Sequence, residues 1–381
     1  MHTLAFPAAQ LPANAEGLRQ SVRAIIAKHR QGWPVDQRAR SWTGVDRDFT
    51  LALGKAGFIG MCWPQQYGGG EHSALERYVV VEELLAAGAP VALHWAADRQ
   101  IGPMLLRCGT EEQKQRFLPA MAKGETYFCL GMSEPNSGSD LASVSTFAEK
   151  VDGGYKVNGS KIWTSGADRA QFMVLFCRTA AKTDSRHAGF SQLIVPMDAP
   201  GVEITPIIDL SGHRTFNQVF FSDVLVPDAD LVGTEGNGWK QVTSELSLER
   251  SGPDRFLSAY PLLCELARAL AKSRQPSLAE ALGRLVSRLF ILRSMSISVA
   301  GMLERGEDPA IQAAIVKDLG SLLEQDIPEI VRDVVELDDP SVPEDLRVTA
   351  RETMLIAPAY PLRGGTREIL RGMIARGLGL R

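Results

Sequence analysis

Residues 155–165 read Tyr155-Lys156-Val157-Asn158-Gly159-Ser160-Lys161-Ile162-Trp163-Thr164-Ser165, an extended run with an Asn-Gly pair near its centre. Asn-Gly tolerates the positive φ angles of a type I′ turn, so the sequence predicts a β-hairpin folded at Asn158-Gly159. Phe172 to Cys177, Gln192 to Val195 and Gln218 to Val226 are further β-branched or aromatic runs bounded by Gly, Pro, Asp and Ser. Residues 126–232 are therefore expected to form a β domain. Pro227 and the loop Gly233-Thr234-Glu235-Gly236-Asn237-Gly238 close it.

On either side the hydrophobic period changes to that of a helix. Leu18, Val22, Ile25 and Ile26 share one face, as do Leu75, Tyr78, Val79, Leu85 and Ala86. Gly109-Thr110 before Glu111-Glu112-Gln113 reads as a turn and an N-cap. Helical spacing returns after Trp239, at Leu282, Leu285, Leu289 and Leu292 and again from Ile311 to Leu323. The expected fold class is α+β: a helical part over 1–125, β over 126–232 and helical again over 233–381. Gly252-Pro253 falls where a helix ought to continue, and broken rules of this kind concentrate near functional sites.

The chain has 381 residues, 45% hydrophobic and 23% charged, with a formal charge of −4. That is the balance of a globular protein too long for one ordinary core. No third of the chain is basic enough for a phosphate-backbone footprint, so nucleic acid is not the expected partner. The five cysteines are scattered and never form C-x-x-C, and the six histidines lack ligand spacing. No disulfide framework and no metal site are expected. The first twenty residues carry no secretory pattern, and the apolar run Leu84 to Ala97 is too short to cross a bilayer. A cytoplasmic protein without a membrane span is expected. Nicotinamide, P-loop, zincin and α/β-hydrolase signatures are all missing.

The richest segment is Leu130-Gly131-Met132-Ser133-Glu134-Pro135-Asn136-Ser137-Gly138-Ser139-Asp140. Its hydroxyls, backbone donors and glycines suit a loop that binds a polar cofactor rim and a phosphate, or an Asx-rich connection between domains. With Asn158 to Ser165 it resembles the flavin-binding signatures of the acyl-CoA dehydrogenase family. The likeness extends to Pro64-Gln65-Gln66-Tyr67-Gly68-Gly69, Phe221-Ser222-Asp223-Val224-Leu225-Val226-Pro227 and Gly364-Gly365-Thr366-Arg367-Glu368-Ile369. It implies a helical N-terminal domain, a β-barrel-like middle domain and a C-terminal four-helix bundle. It also implies a flavoprotein oxidoreductase of lipid or acid catabolism, which takes an acyl-CoA substrate and FAD and passes electrons to an electron-transfer flavoprotein or similar acceptor. By position, Leu130, Met132, Ser133, Trp163 and Ser165 would surround the isoalloxazine. Thr366 and Glu368 would lie near the ribityl and phosphate region, and Ser139 near the CoA arm. Val91 to Gly102, with His94, Trp95, Asp98 and Arg99, falls where the family's pocket wall does, or is a helix with a mixed polar face.

In the family reaction a carboxylate removes the α-proton of the thioester and flavin N5 takes the β-hydride. Most members place that Glu directly before the Gly-Thr near the C-terminus, which here is Gly364. A minority use the Glu of Leu-x-x-Glu-Arg on the first bundle helix, and Leu246-Ser247-Leu248-Glu249-Arg250 matches it. Glu249 is the candidate base, with Ser247 and Arg250 on the substrate side. A Glu restored at 364 would be expected to recover activity unless Arg363 obstructs it. The Arg-x-x-Phe-Gly and Gln-x-x-Gly-Gly that hold FAD across a subunit interface have no counterpart. Either FAD is held mainly by the β domain, or the chain pairs with a different homologous subunit; the resemblance implies a homo- or hetero-oligomer, dimer or tetramer. The alternatives are a base-free lyase or desulfinase on the same fold, and a non-catalytic partner subunit.

Overall fold

The computed structural model describes residues 4–248, 250–273 and 275–380, the side chains of 244–248 and 273 excepted. Ahead of the sheet run α1 (Ala15–His29), α2 (Val35–Ala39), α3 (Arg47–Lys55), α4 (Ala74–Ala86), α5 (Ala92–Ala96), α6 (Gly102–Cys108) and α7 (Glu111–Ala122). Side-chain caps mark the starts of α3, α4 and α7. Ser73 and Glu76 form a reciprocal capping box on α4, and Thr110 and Gln113 form one on α7, which satisfies amides the first turn leaves unpaired. Between α5 and α6 a π-helical segment covers Ala97–Ile101.

The sheet contains β1 (Phe128–Gly131), β2 (Phe147–Val151), β3 (Gly154–Ser165), β4 (Phe172–Arg178), β5 (Phe190–Pro196), β6 (Val202–Ile207) and β7 (Phe216–Pro227). Its order is β1-β4-β2-β3-β7-β6, with β5 also paired to β4. The three runs read from sequence are β4, β5 and β7. The hairpin at Asn158-Gly159 is not there. β3 runs straight through both residues, and the turn lies at Asp152-Gly153, where Gly153 takes φ +75° between β2 and β3. Asn158 is instead used sideways: its Nδ2 donates to Asp223 Oδ1 at 3.0 Å and its Oδ1 accepts from Asp223 N–H at 2.9 Å. Gly159 is required by close approach, since a Cβ there would lie 2.7 Å from Thr146 Cα. The pairing of β3 with β7 slips at Val157/Gly159 and again at Lys161/Thr164.

After the sheet come α8 (Gly238–Leu248), α9 (Tyr260–Ser273), α10 (Pro276–Glu304), α11 (Ala310–Val334), α12 (Glu344–Ile356) and α13 (Arg367–Gly377). Helix α8 stops ahead of Gly252, and Pro253–Arg255 forms a single 3-10 turn, the interruption that Gly252-Pro253 predicts.

Two compact units result, Met1–Gly44 with His72–Val91 and Ser247–Arg381, and Val45–Glu71 with Ala92–Leu246. The second is built on the sheet, where Tyr155, Val157, Met173, Leu175, Val219 and Val224 are buried in one cluster. The first is helical. By length and composition α10 could cross a membrane, but half of its apolar stretch is buried inside the unit. Arg293 on it makes a two-bond pair with Glu82 of α4, at 2.6 and 2.9 Å.

Candidate functional site

Within the sheet unit, β1 delivers Leu130 to the start of the loop 131–140, and Gly131 is needed there because a Cβ would sit 2.4 Å from Met173 Sδ. Glu134 and Ser137 exchange both backbone hydrogen bonds, at 2.7 and 3.0 Å, which closes the loop into a tight turn. The Ser133 carbonyl accepts from Ile162 N–H at 2.9 Å, so Met132 and Ser133 are stitched to β3 one residue before Trp163.

Beneath this junction lies a buried ion pair that sequence reading missed. Lys161 is fully buried, and its Nζ donates to Glu134 Oε1 at 2.9 Å and to the Met132 carbonyl at 3.2 Å. Glu134 also accepts from Ser145 N–H, Ser145 Oγ and Thr146 N–H at 2.7 to 2.8 Å. Burial alone would raise this carboxyl, but the Lys161 charge and these hydrogen bonds outweigh it and hold it at about 2. Burial also lowers the Lys161 ammonium, against the pull of Glu134. The Glu134 carboxylate is ionised at neutral pH. The pair therefore acts as a clamp, fixing the loop and β3 together at 132 and 161. The only sequence signal was a lysine at an inward position of a strand, with its acid 27 residues earlier.

The slip in β3 leaves Trp163 at φ +61°, in the left-handed region, with the indole 57% exposed. The ring stands edge-on to Phe216 with centroids 5.9 Å apart. A large apolar side chain held outward at a backbone cost of order 1–3 kcal/mol is a feature the packing of this unit does not itself require. Ser165 and Ser139 are exposed, and Leu130, Met132 and Ser133 are half-buried. His94 and Asp98 turn inward: His94 Nδ1 lies 3.4 Å from Thr50 Oγ1, and Asp98 Oδ1 accepts from Gly60 N–H at 2.7 Å.

In the helical unit, Glu249 lies outside the described residues, as does the side chain of Ser247. Arg250 is described and buried. Its Nε donates to the Gly364 carbonyl at 3.3 Å, which joins the residue after the candidate base to the turn where most family members keep theirs, 114 positions away. Thr366 is the N-cap of α13, with its hydroxyl accepting from Ile369 N–H at 3.5 Å. Glu368 is exposed in the first turn of that helix. Its own backbone N–H and the Thr366 hydroxyl hold its carboxyl below the usual range.

A family model described as the acyl-CoA dehydrogenase N-terminal domain matches residues 12–125, and one described as the middle domain matches 129–224. The chain is 35% identical over 345 residues to acyl-CoA dehydrogenase IpdE1 of Mycobacterium tuberculosis, covering 88% of each protein. Among solved structures it is similar to Tcur3481-Tcur3483 steroid ACAD, with a TM-score of 0.86 and 29% identity over 99% of this chain and 100% of that one. It is also similar to a chain of the ChsE4-ChsE5 complex from Mycobacterium tuberculosis, with a TM-score of 0.84 and 30% identity over 98% and 99%.

Proposed function

This chain belongs to the acyl-CoA dehydrogenase family, and on that premise we propose that it is an FAD-dependent enzyme that desaturates the α,β-carbons of an acyl-CoA thioester. Trp163 carries the cofactor reading: an exposed indole in a strained backbone conformation, beside a loop clamped from below, suits one wall of a flavin site. Leu130, Met132, Ser133 and Ser165 would line the same wall, while Thr366 and Glu368 would lie toward the cofactor's ribityl and phosphate end. When bound, FAD supplies the acceptor for the β-hydride.

The chain's own share is the α-proton. Glu249 would remove it, and enclosure of the pocket would raise that carboxylate toward the basicity a carbon acid demands. Arg250 fixes the turn at Gly364 rather than the proton, and Ser139 and Ser247 would attend the thioester arm. A division into domains at about 125 and 232 is part of this reading; the N-terminal family model ends at 125 and the middle-domain model at 224. The two similar structures carry two-protein names, and the family's trans-acting FAD motifs are missing here. Both observations favour assembly with a different homologous subunit. A ring-bearing acyl-CoA is the first substrate to test, given the neighbour described as a steroid ACAD.

The purified protein, alone and with a co-expressed homologue, should be yellow and should bleach anaerobically with a suitable acyl-CoA. A preparation that stays colourless after FAD is added, in both forms, removes the cofactor claim. In Glu249→Gln, FAD and thioester binding should survive while flavin reduction falls roughly 10²–10⁴-fold, the usual worth of a general base. Reduction at the parent rate would reject Glu249 and favour the base-free reading.

A further inference from the structure

Gly364 and Gly365 both take left-handed backbone, with φ of +67° and +98°. A Cβ built on Gly364 would lie 2.9 Å from Nη2 of Arg255 and 3.1 Å from its Cζ and Nη1. A guanidinium thus occupies the space in which any side chain at 364 would begin. Arg255 has little room to retreat. It is 2% exposed, its Nε pairs with Asp254 Oδ2 at 3.0 Å, and its Nη1 donates to the Arg363 carbonyl at 3.5 Å. Its backbone is held as well, because Gly320 of α11 lies so close that a Cβ there would stand 2.2 Å from the Arg255 carbonyl oxygen. Arg250 meanwhile grips the Gly364 carbonyl. One two-glycine turn is therefore held between two arginines. Arg255 is the residue that meets a side chain at 364.

We propose that Arg255 fills the side-chain space of position 364 and so confines the proton-abstracting carboxylate of this chain to the end of α8. The second half of this statement rests on the reading of Glu249 above; the first does not. The physical reason is exclusion reinforced by charge. A carboxylate placed at 364 would start against a buried guanidinium, and pairing with it would favour the ionised form and weaken it as a base. Arg255 is thus a positioning residue that decides where the base can stand.

The steric half is tested by an unfolding cycle on the FAD-loaded protein. Gly364→Ala carries the same left-handed backbone penalty in any background, so that penalty cancels. With Arg255 present, Gly364→Ala should lower the folding equilibrium constant by roughly tenfold more than it does in an Arg255→Gln background, a coupling normal for groups in contact. Effects that add within about twofold overturn the proposal. Should Arg255→Gln strand Asp254 and fail to fold, Asp254→Asn/Arg255→Gln serves as the background. The functional half uses flavin reduction. Glu249→Gln/Gly364→Glu should stay as slow as Glu249→Gln, and adding Arg255→Gln should speed it by roughly tenfold or more. Recovery with Arg255 intact, or in neither background, overturns it. Parent-level reduction in Glu249→Gln alone would instead sink the base assignment and leave the unfolding cycle standing.

Discussion

Trp163 shows how a single residue can be costly for the fold and useful to the site. Its φ of +61° is a conformation that Asn and Gly adopt far more readily than an aromatic side chain, and its exposed indole returns little burial energy. Trp163→Asn should therefore leave the unfolding free energy of the apoprotein within about 1 kcal/mol of the parent, or raise it. FAD retention on gel filtration should fall sharply in the same variant. A large loss of apo stability with FAD binding intact would make Trp163 a packing residue and remove its flavin role. The sequence singled out this tryptophan through its neighbours, but for a turn that does not exist. What exposes the ring is a slip in strand pairing between Lys161 and Thr164, which no residue type announces. Glu134 and Lys161 were hidden for a similar reason, because a buried ion pair becomes visible only once both partners have coordinates.

At the scale of elements, helix α11 sets Lys317, Ser321 and Glu324 on a buried face, where hydrophobic spacing alone would have put solvent. Each is tied to another segment. Lys317 Nζ donates to Ser321 Oγ at 2.6 Å and to the Tyr360 carbonyl at 3.2 Å. Glu324 accepts from Ser258 N–H at 2.8 Å and from Arg363 Nη2 at 2.9 Å. Burial, then the charges of Arg255 and Arg363, push the Lys317 ammonium down to about 7, against the opposing pull of Glu324 and Asp254. In the unfolded chain this lysine titrates near its ordinary 10.5. Between pH 7 and 10.5 the unfolded state then binds the extra proton, so this group makes stability rise with pH by up to about 1.4 kcal/mol per unit, with no slope from it below 7. Lys317→Met should be more stable than the parent at pH 7 and should lose that rise, as read by urea unfolding from pH 7 to 9.5. A parent and variant with parallel pH profiles would refute the shift. The helices themselves were legible because their apolar period is regular. β1, β2 and β6 were not: β1 has four residues, β2 is five residues with two adjacent charges at Glu149-Lys150, and β6 carries Pro206. The break at Gly252-Pro253 was legible because proline's constraint is local and absolute.

On the scale of the whole molecule, the question is what covers α10. Its inner face is buried, yet Val286, Phe290 and Ile291 stand 47%, 68% and 57% exposed in a single chain. Val286 and Phe290 are four residues apart and so adjacent on one helix surface, which is wasteful in water for an isolated subunit. Membrane insertion is a poor outlet for these side chains. The same helix is also tied to its own chain by charged pairs, through Arg293 to Glu82 and through Arg288 to Asp326 at 2.7 Å. Helix packing between subunits, which the family resemblance implies, would bury the exposed face at about 25 cal/mol per Å² of apolar surface. The protein, alone or with a homologous partner, should therefore scatter light as an assembly of two or four chains. Phe290→Asp, which replaces an exposed ring and leaves the chain's own core untouched, should shift that assembly toward the 41.5 kDa monomer with little change in the helical circular dichroism. Loss of FAD on dissociation would further indicate that a neighbouring chain completes the cofactor site. A wild-type monomer of 41.5 kDa that holds flavin and turns over acyl-CoA would defeat the whole inference, since one chain would then suffice for everything the family elsewhere divides between two.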